Sequence, residues 1–163
     1  MDTEDIRKLP DSDFTIVGAS FAGSLLASKL ARHGKVLLVD KIRPGTRLKC
    51  AGGIRAEEFE SLEIDIPHAK VSSIIMASGT QRTVFKYRYV VTDRRELDAA
   101  VMEKAVSAGA VFRKAEYVSH SPGTNSSVFL CEGEKLEHLY KKLILVKGHI
   151  FRPEMKFYGT SYV

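Results

Sequence analysis

Short apolar runs alternate with longer amphipathic stretches along the first part of the chain. Phe14-Thr15-Ile16-Val17 is a short apolar run, the length of a buried strand. A turn of small residues, Gly18 to Gly23, follows it. Ser24 to His33 is rich in Ala and Leu, with Leu25, Leu26 and Leu30 at helical spacing, and Gly34 is expected to stop that helix. Val36-Leu37-Leu38-Val39 is a second strand of buried type, closed by Asp40. Strand, helix and strand within about 30 residues make a βαβ unit, with parallel strands and a right-handed crossover.

The pattern then changes. Residues 41–53 hold a Pro-Gly pair, a Gly-Gly pair and several basic residues, and read as a loop. Arg55 to Leu62 reads as a short helix, and Val71–Met76 and Thr83–Val91 as strands. The second strand alternates, with Thr83, Phe85, Tyr87 and Tyr89 on one face and Lys86 and Arg88 on the other. Asp93 and Glu96 form a capping box ahead of a helix that runs to about Ser107, with Leu97, Val101 and Ala105 on one face and Gly109 at its end. Ala110–Ser119, Ser126–Cys131 and Lys142–Val146 read as further strands. The organisation predicted is a flexible lead-in over 1–12, one domain over 13–146, and a basic, aromatic tail over 147–163.

The turn Gly18-Ala19-Ser20-Phe21-Ala22-Gly23 carries the first chemical signal. Its first glycine suits a tight exit from the strand, and its last lets helix and strand pack closely. Backbone N–H groups at a helix N-terminus then face an anion, aided by the helix dipole. Ser20 stands where such turns often carry a middle glycine, and its hydroxyl is able to donate to a phosphate. Asp40 lies about 20 residues on, at the end of the next strand, where a carboxylate accepts hydrogen bonds from adenosine ribose hydroxyls and disfavours a 2′-phosphate. The expectation is a dinucleotide site.

Composition narrows the partners less. With 163 residues, 44% hydrophobic and 28% charged, the chain has the balance of a soluble globular domain. No apolar run approaches the ~20 residues of a membrane span, and the polar N-terminus has no signal-peptide core. Cys50 and Cys131 lie far apart, without metal-ligand spacing, which fits a reducing cytoplasm. The net charge of +5 suits an anionic cofactor and would equally suit a lipid surface or nucleic acid. The expectations are a cytoplasmic protein, at most peripheral at a membrane, with no nucleic-acid partner and no metal. The five histidines share no motif.

From Phe14 to Lys41 the chain resembles the N-terminus of flavoproteins with two dinucleotide-binding domains. Lys49-Cys50-Ala51-Gly52-Gly53 resembles the cysteine-containing glycine loop of the geranylgeranyl reductase family, in the p-hydroxybenzoate hydroxylase superfamily. Tyr89 to Arg94, followed by Leu97-Asp98, resembles that superfamily's strand, arginine and helix with a hydrophobic-Asp pair. The resemblance covers roughly 13–146. It implies an α/β, Rossmann-like FAD/NAD(P)-binding domain, mostly a parallel sheet with an inserted antiparallel strand set.

The resemblance also implies roles. Ala19 and Gly23 lie against the pyrophosphate, with Gly18, Ser20 and Ala22 completing the turn, and Asp40 holds the adenosine ribose beside Lys41. Cys50, Ala51 and Gly53 line FAD, Arg94 contacts it from the mouth of its helix, and Val118 faces the adenine through its backbone. In the family, reduced FAD delivers hydride to isoprenoid lipid double bonds, with NAD(P)H or ferredoxin as electron donor. Plainer readings stand beside these. Cys50 is equally a small core residue, and Arg43, Arg47 and Lys49 are equally a solvated loop face. Arg94 opposes the helix dipole and makes more sense with an anion nearby.

Superfamily members run to well over twice this length and carry a Gly-Ala-Asp-Gly-like segment after the strand corresponding to Leu143–Val146. Here Leu145-Val146-Lys147-Gly148-His149-Ile150 has no such aspartate. The expectation is a truncated domain with an adenosine diphosphate site and no identifiable catalytic residue. The rival readings are an aromatic hydroxylase or halogenase of the same superfamily, a non-catalytic dinucleotide-binding domain, and a site for NAD without flavin.

Overall fold

The computed structural model describes residues 8–46 and 52–146. The elements run β1 (Phe14–Val17), α1 (Phe21–Leu30), β2 (Val36–Asp40), β3 (Gly53–Arg55), α2 (Ala56–Ser61), β4 (His68–Ser78) and β5 (Gln81–Thr92). They continue through α3 (Arg94–Ser107), β6 (Val111–Lys114), β7 (Glu116–Ser121), β8 (Ser126–Cys131), β9 (Glu134–Leu139) and β10 (Lys142–Leu145). A parallel sheet has the order β10-β1-β2-β6, and two antiparallel sheets have the orders β3-β5-β4 and β7-β8-β9. This is the α/β arrangement that the sequence predicts, a Rossmann-type parallel sheet with antiparallel strand sets added.

Successive side chains on a strand point to opposite faces, and the parallel sheet uses both. Ile16, Val36 and Leu38 pack with Ala27 of α1 and with Met102 and Ala105 of α3. Val17, Leu37 and Val39 face the other way, onto Phe129 of β8 and Ala115. The sheet is therefore covered by helices on one side and by the β7-β8-β9 meander on the other, so its strands read as continuous apolar runs. A third cluster joins Phe59 of α2, Val90 of β5, and Leu97 and Val101 of α3.

Several local expectations are corrected. The first helix spans Phe21–Leu30 rather than Ser24–His33, so the phosphate-type turn is shorter. Gly34 does not stop the helix in a left-handed conformation; a Cβ there would sit 2.7 Å from Asp13 Oδ2, so the glycine makes room for the carboxylate that accepts the Lys35 N–H. The run Ala110–Ser119 is two strands in two sheets. Its parallel ladder with β2 ends where Ala115 N–H donates to the Asp40 carbonyl, and the chain then turns into the meander. The loop assigned to 41–53 gives up Gly53 to β3. Strand β9 was not anticipated, because in EKLEHL only His138 is buried and Leu136 half-buried. Leu9 and Ser12 do not belong to a loose lead-in, since both are buried.

His138 holds that N-terminal segment. Its Nε2 lies 3.0 Å from Thr15 Oγ1 and 3.3 Å from Ser12 Oγ, and the two hydroxyls are 2.9 Å apart. Burial pushes the imidazole below its usual value, while the charge of Asp11 pulls the other way.

Candidate cofactor site

The turn from β1 into α1 is built by two glycines. Gly18 has φ 107°, in the left-handed region that favours glycine. A Cβ on Gly23 would fall 1.7 Å from the Gly18 carbonyl oxygen, so only hydrogen fits where the helix crosses the turn. Between them Ala19 is fully buried, and Ser24 Oγ donates to its carbonyl at 2.6 Å. Ser20 is the exposed N-cap, and its hydroxyl makes no cap hydrogen bond. The first N–H groups of α1 have no partner within the helix, so this end presents donors toward the space above the sheet.

Asp40 closes the opposite side. Its Oδ2 accepts the Ala19 N–H at 2.8 Å and its Oδ1 accepts the Ile42 N–H at 3.1 Å. The carboxylate thus ties the turn after β1 to the loop after β2. A carboxylate has about four lone-pair sites, so capacity remains for ligand hydroxyls. That loop rests on α3: at Gly45, φ 86°, a Cβ would lie 3.0 Å from the Arg95 carbonyl oxygen.

The third wall is the start of α3. Asp93 caps it, accepting the Arg95 N–H at 2.8 Å. Arg94 Nε donates to Asp98 Oδ1 at 2.7 Å, one helical turn on, and its guanidinium carbon lies 5.5 Å from the centre of the Phe21 ring. The sequence asked for an anion beside Arg94, and the structure supplies Asp98 as one. Gly18, Ser20, Asp40, Arg43, Arg94 and Asp98 converge on a cleft of about 200 Å³. A neighbouring hollow of about 280 Å³ is lined by Phe21, Gly52, Gly53, Tyr89 and again Arg94.

The structure therefore brings Gly18, Ser20, Asp40 and Arg94 to one cleft and places Gly53 in the next hollow. The strained position of the glycine loop is Gly52, with φ 75° and a Cβ that would meet the Thr92 carbonyl oxygen at 1.9 Å. Ala19 and Gly23 are buried behind the turn, and Ala22 is exposed on α1. Lys41 is exposed and pairs with Glu116 at 3.0 Å. Val118 is 49% exposed at a bulge in β7 and does not line the cleft. Arg47, Lys49, Cys50 and Ala51 lie outside the described residues. Asp98 was noted in a motif but given no role; its spacing from Arg94, the i,i+4 spacing of helical ion pairs, was the available signal. Among the described residues no cluster of His, Cys, Asp or Glu could hold a metal, and no helix is long and apolar enough to cross a membrane.

Residues 13–153 match the family described as lycopene cyclase protein. The chain belongs to that family. A relative, an uncharacterized protein of Methanosarcina barkeri, is 30% identical in an alignment 135 positions long that covers 73% of this chain and 35% of that one. The fold of this lycopene cyclase family member is shared with a geranylgeranyl bacteriochlorophyll reductase-like protein of Thermoplasma acidophilum, at TM-score 0.72 and 18% identity over 86% of this chain and 40% of that one. It is shared also with the myxobacterial chondrochloren halogenase CndH, an FAD-dependent halogenase, at TM-score 0.69 and 16% identity over 88% and 39%. The chain thus spans well under half the length of the proteins it matches. The likeness to these two structures is a likeness of fold.

Proposed function

We propose that this chain binds FAD, with the adenosine diphosphate half of the cofactor in the cleft between the β1–α1 turn and Asp40. The observation that carries the reading is the join of the two: a turn with Gly18 at positive φ and no room for a Cβ at Gly23, beside a carboxylate hydrogen-bonded to the turn itself. In this reading the Ser20 hydroxyl and the first-turn N–H groups of α1 beyond Phe21, whose own N–H is taken by Asp98, hold the pyrophosphate. Asp40 accepts from the ribose hydroxyls, and Arg94 neutralises phosphate charge from α3. Gly53 and the hollow beside it take the next part of the cofactor, together with Cys50 and Ala51. Ala19, Ala22 and Gly23 shape the turn, and Lys41 and the Val118 backbone flank the adenine end.

When bound, the flavin supplies hydride transfer; this chain binds and orients it. For the whole protein we infer reduction of an isoprenoid alkene, with NAD(P)H or ferredoxin as electron source. The similarity to a geranylgeranyl reductase-like protein supports this, and so does the family's name, since lycopene is an isoprenoid polyene. The halogenase neighbours favour a second reading, flavin chemistry on an aromatic substrate. Product analysis separates the two. FAD-loaded protein, chemically reduced, is incubated with an unsaturated isoprenoid lipid or, under oxygen with halide, with a phenol. A saturated lipid supports the first reading and a hydroxylated or halogenated phenol the second. FAD binding with neither product leaves a cofactor-binding domain without its own catalysis.

A further inference from the structure

We propose that Asp98 is the positioning residue of this site, aiming the Arg94 guanidinium and fixing the first turn of α1 for the cofactor's pyrophosphate. The inference rests on the FAD reading above and extends it to a residue that the dinucleotide motif does not contain.

The geometry is a three-body clamp. One oxygen, Asp98 Oδ1, accepts both the Phe21 N–H at 3.1 Å and Arg94 Nε at 2.7 Å. Asp98 is 8% exposed, and the Arg94 side chain 21%. Phe21 is the first residue of α1, so its N–H belongs to the turn that faces a bound anion. By taking that N–H, Asp98 pins the helix end to α3. By taking Nε, it holds the guanidinium, whose carbon lies over the Phe21 ring, 5.5 Å from its centre. The two terminal nitrogens of Arg94 make no hydrogen bond among the described residues. They form the outer part of a planar fork that matches phosphate oxygens.

A carboxylate beside an anion site is otherwise hard to account for. If Asp98 were only a countercharge, it would oppose pyrophosphate binding, and its removal would tighten the complex. If it aims Arg94, its removal weakens the complex although the site gains positive charge. The two roles differ in sign.

The test measures binding of ADP and of adenosine to the full chain and to Asp98→Asn, Arg94→Gln, the double variant and Arg94→Lys. Asp98→Asn, which keeps an acceptor oxygen but loses the charge that holds Arg94 Nε, is expected to bind ADP about tenfold more weakly, the gap between a hydrogen bond to a charged group and one to a neutral group. Adenosine, which lacks the pyrophosphate, is expected to bind both alike. The double variant is expected to lose less than the two single losses combined, because part of the effect of Asp98 acts through Arg94 and the rest through the Phe21 N–H. If Asp98→Asn does not fold, Arg94→Lys serves: it keeps the charge without the fork, and the clamp requires it to weaken ADP binding. Equal or tighter ADP binding by Asp98→Asn, a parallel loss of adenosine, or unchanged ADP binding by Arg94→Lys overturns the assignment while leaving the FAD site intact. A wild-type chain that binds neither ADP nor FAD removes the site itself, and the positioning role with it.

Discussion

Gly23 and Gly18 show how a single missing Cβ shapes the site. The obstacle to a side chain at Gly23 is a backbone carbonyl 1.7 Å away, which cannot swing aside as a side-chain tip could. Gly23→Ala is therefore expected to destabilise the fold by about 1–3 kcal/mol or more. Gly123→Ala, where a Cβ meets nothing within 4 Å, is expected to be close to neutral. Urea unfolding of the pair checks both, and equal stability of the two variants would refute the packing argument. These glycines and Asp40 were legible in the sequence because each has a local chemical reason to stand where it does. Asp98 was legible only as the i,i+4 partner of Arg94, because its bond to the Phe21 N–H exists only where α3 meets α1, far apart in the chain. Arg94 was legible in part: its awkward place on the dipole required an anion, and one such anion is a neighbouring side chain.

At the scale of elements, the βαβ unit could be read from its apolar runs and glycines, and α3 because its periodicity and its Asp93 cap agreed. The meander could not. Its turn at Glu132-Gly133 places both residues at positive φ, 50° and 91°, in the manner of a two-residue hairpin, yet the dipeptide is not the Asn-Gly that announces one. Glu132→Asn is expected to stabilise the chain by about 0.5 kcal/mol, since Asn tolerates that conformation better; a lower melting temperature would contradict the turn assignment. Strand β9 also brings His138 under the parallel sheet. Its pKa is lower in the fold than in the unfolded chain, so between those values the unfolded state binds more protons. Stability is then full above about pH 6.5, the unperturbed value, and falls as pH drops through it. A His138→Gln variant is expected to show a flatter stability profile between pH 7 and 5, measured by urea midpoints; an unchanged slope would show that other groups set it.

At the scale of the whole molecule, the parallel sheet positions everything the cofactor reading needs. β1 and β2 end side by side, and the turn after one is hydrogen-bonded to the carboxylate closing the other. The α/β class and the resemblance to flavoproteins followed from the sequence because those two strand ends and their glycines lie within one short stretch. The placing of the β4–β5 hairpin did not. Its outer part exposes Ile74, Ile75, Met76, Val84 and Phe85, apolar residues of the kind that usually fill a core. The chain spans 40% of the length of its reductase-like neighbour. The most direct test of the central claim is a titration of the purified, cofactor-free chain with FAD and ADP, beside Asp40→Asn and with melting curves for both. The account predicts saturable binding of both ligands by the wild type, weakened about tenfold or more in the variant through loss of hydrogen bonds to a charged group. A folded wild-type chain that binds neither FAD, ADP nor NAD would contradict it.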